Sequence, residues 1–184
     1  VPWFSDPRIM VYRQDLWSEA GYPEGPQTWE DLVAGGLAIK EAHPELDTVL
    51  MLPGQDLGHY LGELIWQNCG DILSEDGSEV TWTDPRVVEA VQFFADLIHE
   101  HGLVAPQNAE WTYDDALTRF WDGGVAAMYF GSEYSRVATP EQMSALEGKI
   151  AYALEPAGAC RSNFVGGSNL MVFESSDQQD AAMQ

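Results

Sequence analysis

Strand-length apolar runs and amphipathic helical segments alternate along this chain, and that alternation restricts the fold more than any single residue. Thr48-Val49-Leu50-Met51-Leu52 is a continuous apolar run closed by Pro53-Gly54, which suits a strand buried on both faces. Asp84 and Pro85 open the clearest helix. Asp84 fits the N-cap, and Pro85 fits the first helical position, where a missing N–H costs nothing. Val87, Val91, Phe94 and Ile98 form its apolar stripe and Gly102 closes it. Thr28 is a second N-cap, with Asp31 placed for a capping box; Leu32, Val33, Leu37 and Ile39 supply the apolar face and Pro44 stops the helix. Asp15 to Ala20, Leu57 to Asn68 and Thr139 to Leu146 read as further helices, and Asp114 and Asp115 open another through Leu117, Phe120 and Trp121. Arg8 to Tyr12, Val80 to Thr83, Val125 to Phe130, Lys149 to Leu154 and Leu170 to Phe173 are the remaining extended candidates. This alternation predicts an α/β layered fold around a central sheet.

Composition supports a packed core and removes several functions. Hydrophobic residues make up 45% of the 184, with 7 Trp, 7 Tyr and 7 Phe, enough for one domain-sized core. Thirty Asp and Glu against eight Lys and Arg give a net charge of −22. Nucleic acid and anionic membrane surfaces both require a basic footprint, which this chain does not have. No apolar stretch approaches the roughly 18–20 residues that span a bilayer. The chain starts at Val1 without a signal peptide, and Ser176 to Gln184 reads as a helix start that is cut short. Both ends are therefore expected to be cuts in a longer chain.

No phosphate loop, dinucleotide fingerprint or nucleophile elbow is present in the sequence. His99-Glu100-His101 resembles a metal cluster, but residues two apart on a helix point in different directions, so neither a metal nor a cofactor is expected. Cys69 and Cys160 permit one bridge in an oxidising compartment, or two buried thiols. Several aromatics stand beside polar or glycine positions at element ends: Tyr60 by His59, Trp66 near Asn68, Tyr134 after Gly131-Ser132. Flat rings beside hydrogen-bonding groups suit a sugar, whose C–H faces stack while its hydroxyls take carboxylates and amides.

Six segments, in order, resemble one family. Val11 to Gly21 is similar to Y-N-K-D-L-F-x-x-A-G, and Pro26 to Leu32 to P-x-T-W-x-E-L. Trp66 to Gly77 resembles W-x-x-G-G-x-x-x-x-x-x-G, and Ala116 to Gly131 resembles A-x-x-x-F-x-x-G-x-A-A-M-x-x-x-G. Phe164 to Leu170 resembles F-x-G-G-x-x-L, and Ser175 to Met183 the S-x-x-x-x-A-A helix that follows. These belong to the bacterial extracellular solute-binding proteins, family 1, the carbohydrate receptors of ABC importers.

The resemblance implies a type II periplasmic-binding-protein-like lobe, with a mixed central sheet flanked by helices. It places a hinge crossing and first strand at 1–12, the second lobe at 13–163, and a return crossing with a truncated helix at 164–184. It implies non-covalent binding of an oligosaccharide or related polyol between two lobes, delivery to permease subunits, a monomer, and an extracytoplasmic location. The same fold could instead serve a polyamine or iron, and a glycan-degrading enzyme is the more distant alternative. Carried over by position, Asp6 is the hinge-side carboxylate, Tyr60 the stacking ring and His59 its polar neighbour, with Gln55 in the same segment. Trp66 and Asn68 precede the glycine pair, where Cys69 replaces the first glycine. Gly131, Glu133 and Tyr134 fall on a cleft segment, Glu133 standing where a stacking Trp is usual. Gly166, Gly167 and Ser168 would bring backbone near the ligand. Both cysteines fall in loops that border the family's cleft, which favours a Cys69–Cys160 disulfide.

Overall fold

The computed structural model describes residues 2–130 and 135–182, with Phe130 described by its backbone alone. The elements in chain order are β1 (Pro2–Pro7), β2 (Ile9–Arg13), α1 (Gln14–Glu19), α2 (Trp29–Ala42), β3 (Thr48–Met51), α3 (Leu57–Gln67), α4 (Pro85–His99), α5 (Tyr113–Trp121), β4 (Val125–Phe130), α6 (Pro140–Ala145), β5 (Ile150–Ala153), β6 (Val165–Asn169) and α7 (Gln179–Ala182). A four-stranded sheet runs in the order β3-β4-β2-β5, and β1 pairs with β6 as a separate ribbon. β3 is parallel to β4, while β2 is antiparallel to both β4 and β5. The sheet is therefore mixed, with β3, β4 and β5 pointing one way and β2 the other.

The strand period of two sorts the core onto two faces. Met10 and Tyr12 of β2 join Trp17, Leu32, Ile39 and Leu97 on one face. Val11, between them, joins Met51, Leu117, Phe120, Trp121 and Met128 on the other, beneath α5. Every residue of β3 is buried, as its unbroken apolar run requires. Leu64 and Ile65 of α3 pack on Val87 and Ala90 of α4 as a third cluster.

The helix ends follow local chemistry. Thr28 accepts from the Asp31 amide, and the Asp31 side chain accepts from the Thr28 amide, completing a capping box. Asp84 caps α4 and Pro85 opens it. α5 differs from its expected start: Thr112 is the cap, with Asp115 closing a second capping box, so Asp114 and Asp115 lie inside the first turn.

Four further expectations are corrected. Leu170 to Phe173 is not a strand. Pairing lies at Val165–Asn169, opposite Pro2–Pro7 of β1. Val80 to Thr83 contributes only an isolated bridge from Val80 to Leu73. The buried stripe of α4 is Val87, Ala90 and Leu97, with Val91 exposed. Likewise Leu37 of α2 is exposed while Gly35 and Gly36 are buried, because these glycines let the helix approach closely. A Cβ on Gly35 would lie 2.7 Å from the Trp17 ring, and one on Gly36 would lie 2.8 Å from Leu103.

Candidate ligand-binding site

The strand directions bring the polar groups of interest to one edge. β3, β4 and β5 end there, β2 begins there, and α3 starts just after β3. In α/β sheets, the carboxyl edge is where ligands are met, since the connections leave room there. Arg8, in the one-residue gap between β1 and β2, enters this edge and is almost fully buried.

Arg8 organises the surroundings. Its guanidinium lies over the Tyr60 ring at 4.6 Å and over the Phe164 ring at 5.1 Å. One guanidinium nitrogen is 3.7 Å from Glu63 of α3, and Nη2 is 3.2 Å from Nδ1 of His59. His59 stacks on Phe164 with ring centroids 4.8 Å apart. The Arg8 amide donates to the Phe164 carbonyl, and the Asn163 side chain donates to the Arg8 carbonyl. His59 and Glu63 are four apart on α3 and share one face, which is why a single arginine reaches both.

A second buried carboxylate lies behind the first. Gln67 donates to Glu155 at 2.8 Å and accepts from Trp29 Nε1 at 2.9 Å, which fixes the amide orientation. Trp29 in turn stacks on Phe93 at 4.1 Å. Burial pushes the Glu63 carboxyl up to about 7 against the pull of Arg8. Burial, followed by the Glu63 charge, pushes Glu155 up to about 9. Burial likewise raises the Tyr60 and Tyr129 phenols well above their ordinary range. One cation therefore serves two buried carboxyls, so ionising both leaves a surplus negative charge in a low-dielectric place.

The residues expected at a site are partly gathered here. Asp6 pairs with Gly166, Ser5 with Gly167 and Phe4 with Ser168 along the β1–β6 ribbon. The ribbon leads directly into Arg8 and Phe164, so Asp6 and Gly166 lie two residues from Arg8 and from the Phe164 ring that stacks on His59, with Gly167 and Ser168 further along the ribbon. The glycines have a structural role there. Gly167 has φ +135°, and a Cβ on it would lie 2.3 Å from the Phe4 carbonyl; the bare backbone is what lets β1 lie alongside. Tyr60 is fully buried beneath Arg8 and belongs to the core, while its neighbour His59 is exposed. Gln55 is exposed, and its amide reaches toward the Glu110 carbonyl.

Trp66 and Asn68 lie two turns or more along α3 from His59, roughly 10 Å at the helical rise. Trp66 donates to Asp71 at 3.3 Å. Asn68 is buried and donates to the Arg86 carbonyl and to Glu89, so its amide holds α3 to α4. Gly131, Glu133 and Tyr134 lie outside the described residues. Cys69 and Cys160 form a disulfide that joins the end of α3 to the segment before β6.

Arg8, Glu63, Glu155 and Phe164 carry the geometry and were not singled out from sequence. Two signals were available. Arg8 is one of eight cations in an acidic chain and directly precedes an apolar strand. Glu63 interrupts the apolar face of α3 at a spacing that must be buried.

This arrangement is the architecture of a type II periplasmic-binding-protein lobe. The profile of the family described as "Bacterial extracellular solute-binding protein" matches residues 1–184, and the chain belongs to that family. Its relatives include the diacetylchitobiose binding protein DasA of Streptomyces coelicolor, 27% identical over 195 aligned positions, covering 100% of this chain and 43% of that one. The maltose-bound MalE3 of Thermotoga maritima superposes with a TM-score of 0.81 at 30% identity, covering 91% of this chain and 43% of that chain. The GacH receptor of Streptomyces glaucescens, solved with and without acarbose, gives a TM-score of 0.81 at 26% identity, covering 99% and 46%. The chain thus spans less than half the length of each of these relatives.

Proposed function

We propose that this chain forms most of the second lobe of a carbohydrate receptor serving an ABC importer. Residues 13–163 make the lobe, 1–12 the first crossing and 164–184 the return. The observation that carries the reading is the β1–β6 ribbon, which sets Asp6 opposite Gly166, two residues from the Phe164 ring that stacks on the exposed His59, at the carboxyl edge of the sheet. Trp3 and Phe4 on β1, and Leu170, Met171 and Phe173 after β6, are exposed there. In the whole receptor they meet the first lobe. The ligand is an oligosaccharide or related polyol, consistent with relatives named for diacetylchitobiose or solved with maltose and acarbose.

Binding is non-covalent and no bond of the ligand is broken. Contacts from both lobes favour the closed form because that form alone makes both sets. The closed form then docks on permease subunits, and the receptor works as a monomer outside the cytoplasm, periplasmic or lipid-anchored. A thermal-shift panel on the full-length receptor tests this. A ligand present at 100 times its Kd stabilises by about 2.7 kcal/mol. Saccharides are expected to raise the Tm, and a shift with spermidine or ferric ion in place of every saccharide would overturn the reading. Cleavage of a chromogenic glycoside panel would favour the enzyme instead.

A further inference from the structure

We infer that Arg8 is a positioning residue that holds His59 as the neutral Nε2–H tautomer, so that this edge offers a ligand a hydrogen-bond donor and no imidazole lone pair. A guanidinium has donors only and stays charged under all ordinary conditions. At 3.2 Å from Arg8 Nη2, the Nδ1 of His59 must therefore accept. An imidazole that accepts at Nδ1 carries its proton at Nε2.

The geometry leaves the pair little freedom. Arg8 is held from three sides: by the Tyr60 ring, by the Phe164 ring and by Glu63 of the same helix as His59. The imidazole is held by its stack on Phe164. Phe164 is thus shared by both partners and sits at the start of the return crossing. His59 remains exposed, with Nδ1 engaged inward and Nε2, among the described residues, the nitrogen left for a ligand.

The consequence concerns ligand class, and it rests on the reading of this edge as ligand-facing. A donor Nε2–H suits an acceptor oxygen: a hydroxyl, a ring or glycosidic oxygen, or an amide carbonyl. An ammonium group or a metal ion needs a lone pair on the imidazole. Nδ1 has given its lone pair to Arg8, and Nε2 carries the proton. Arg8 also adds positive charge behind the ring. His59 therefore selects against polyamines and iron, the other solutes this fold could take.

The ring-nitrogen shifts of 15N-histidine-labelled chain, recorded at about pH 8 where an ordinary imidazole is neutral, test the inference. Loss of signals in His59→Gln assigns the peaks. The expected result is an Nε2–H form favoured over Nδ1–H at least about tenfold, as a hydrogen bond from a charged donor implies. The double variant Arg8→Met with Glu63→Gln removes the donor together with the carboxylate paired to it, and the ratio should fall several-fold. An Nδ1–H form at a tenth of the population or more in the parent chain overturns the inference, whether or not the double variant folds. So does a ratio that the folded double variant leaves unchanged. The readout is a tautomer and not an affinity, so a fixed Nε2–H form in a receptor that ignores every saccharide would sink the carbohydrate reading alone.

Discussion

Glu155 shows how one residue sets a measurable property of the molecule. Its carboxyl is pushed up to about 9 by burial and by Glu63, and Glu63 to about 7 by burial, with Arg8 the cation among the described residues that acts on both. Tyr60, Tyr129, Gln67 and the Phe164 amide are further polar groups around them. The sign follows from linkage. A carboxyl whose folded pKa is raised favours the fold below the unfolded value, about 4.3 for Glu, and that advantage is lost as pH rises through the folded value. Stability should therefore decline between roughly pH 5 and pH 9. Glu155→Gln keeps an acceptor for Gln67 and should flatten the decline, adding on the order of 1–3 kcal/mol at about pH 8. Chemical denaturation at several pH values checks this; superimposable profiles for the two proteins would contradict it. Gly167→Ala is predicted to act in the opposite direction, since its Cβ would meet the Phe4 carbonyl at 2.3 Å. A loss of roughly 1–3 kcal/mol, with amide-exchange protection lost first along β1 and β6, is the expected result.

Among the elements, α3 is the one the site depends on. Arg8 holds its first turns, through His59 and Glu63. At its end the Cys69–Cys160 disulfide and the Gln67–Glu155 bond tie it to the segment before β6. The disulfide closes a loop of 91 residues in sequence separation, for which the chain-entropy estimate is about 4–5 kcal/mol. Cys69→Ser with Cys160→Ser should lower the unfolding free energy by up to that amount, and reductant should do the same to the parent chain. An unchanged denaturation midpoint in reductant would refute the prediction.

Most elements were legible because their signals are local. Thr28 with Asp31, Asp84 with Pro85, and the run from Thr48 to Leu52 each carry their own instruction. Faces fixed by a partner were not legible. α2 turns Gly35 and Gly36 inward because Trp17 and Leu103 leave space for nothing larger. Position along the chain was enough for the Cys69–Cys160 bridge, and it marked Asp6 and His59 as the ligand contacts proposed above. It was not enough where depth decides: Tyr60 is sequestered, Asn68 is spent on α4, and Arg8 gains its role only when α3 and Phe164 close around it.

At the scale of the whole molecule, charge dominates, and the chain spans less than half the length of the relatives it matches. A net charge of −22 on 184 residues repels itself, and mobile ions screen that repulsion over about 10 Å at 0.1 M. Raising NaCl from about 0.02 M to about 0.5 M should therefore raise the Tm, and a fall would contradict a surface dominated by its own repulsion. The exposed ribbon and the apolar residues beside it mark where the proposed first lobe completes the cleft. The most direct test of the account is titration of the full-length receptor with maltose, N,N′-diacetylchitobiose and laminaribiose, alongside spermidine and ferric citrate, by calorimetry. The account predicts saturable binding of at least one saccharide, weakened roughly tenfold or more by His59→Phe but less by His59→Gln, which keeps an N–H donor. Binding of spermidine or iron with every saccharide silent would contradict it.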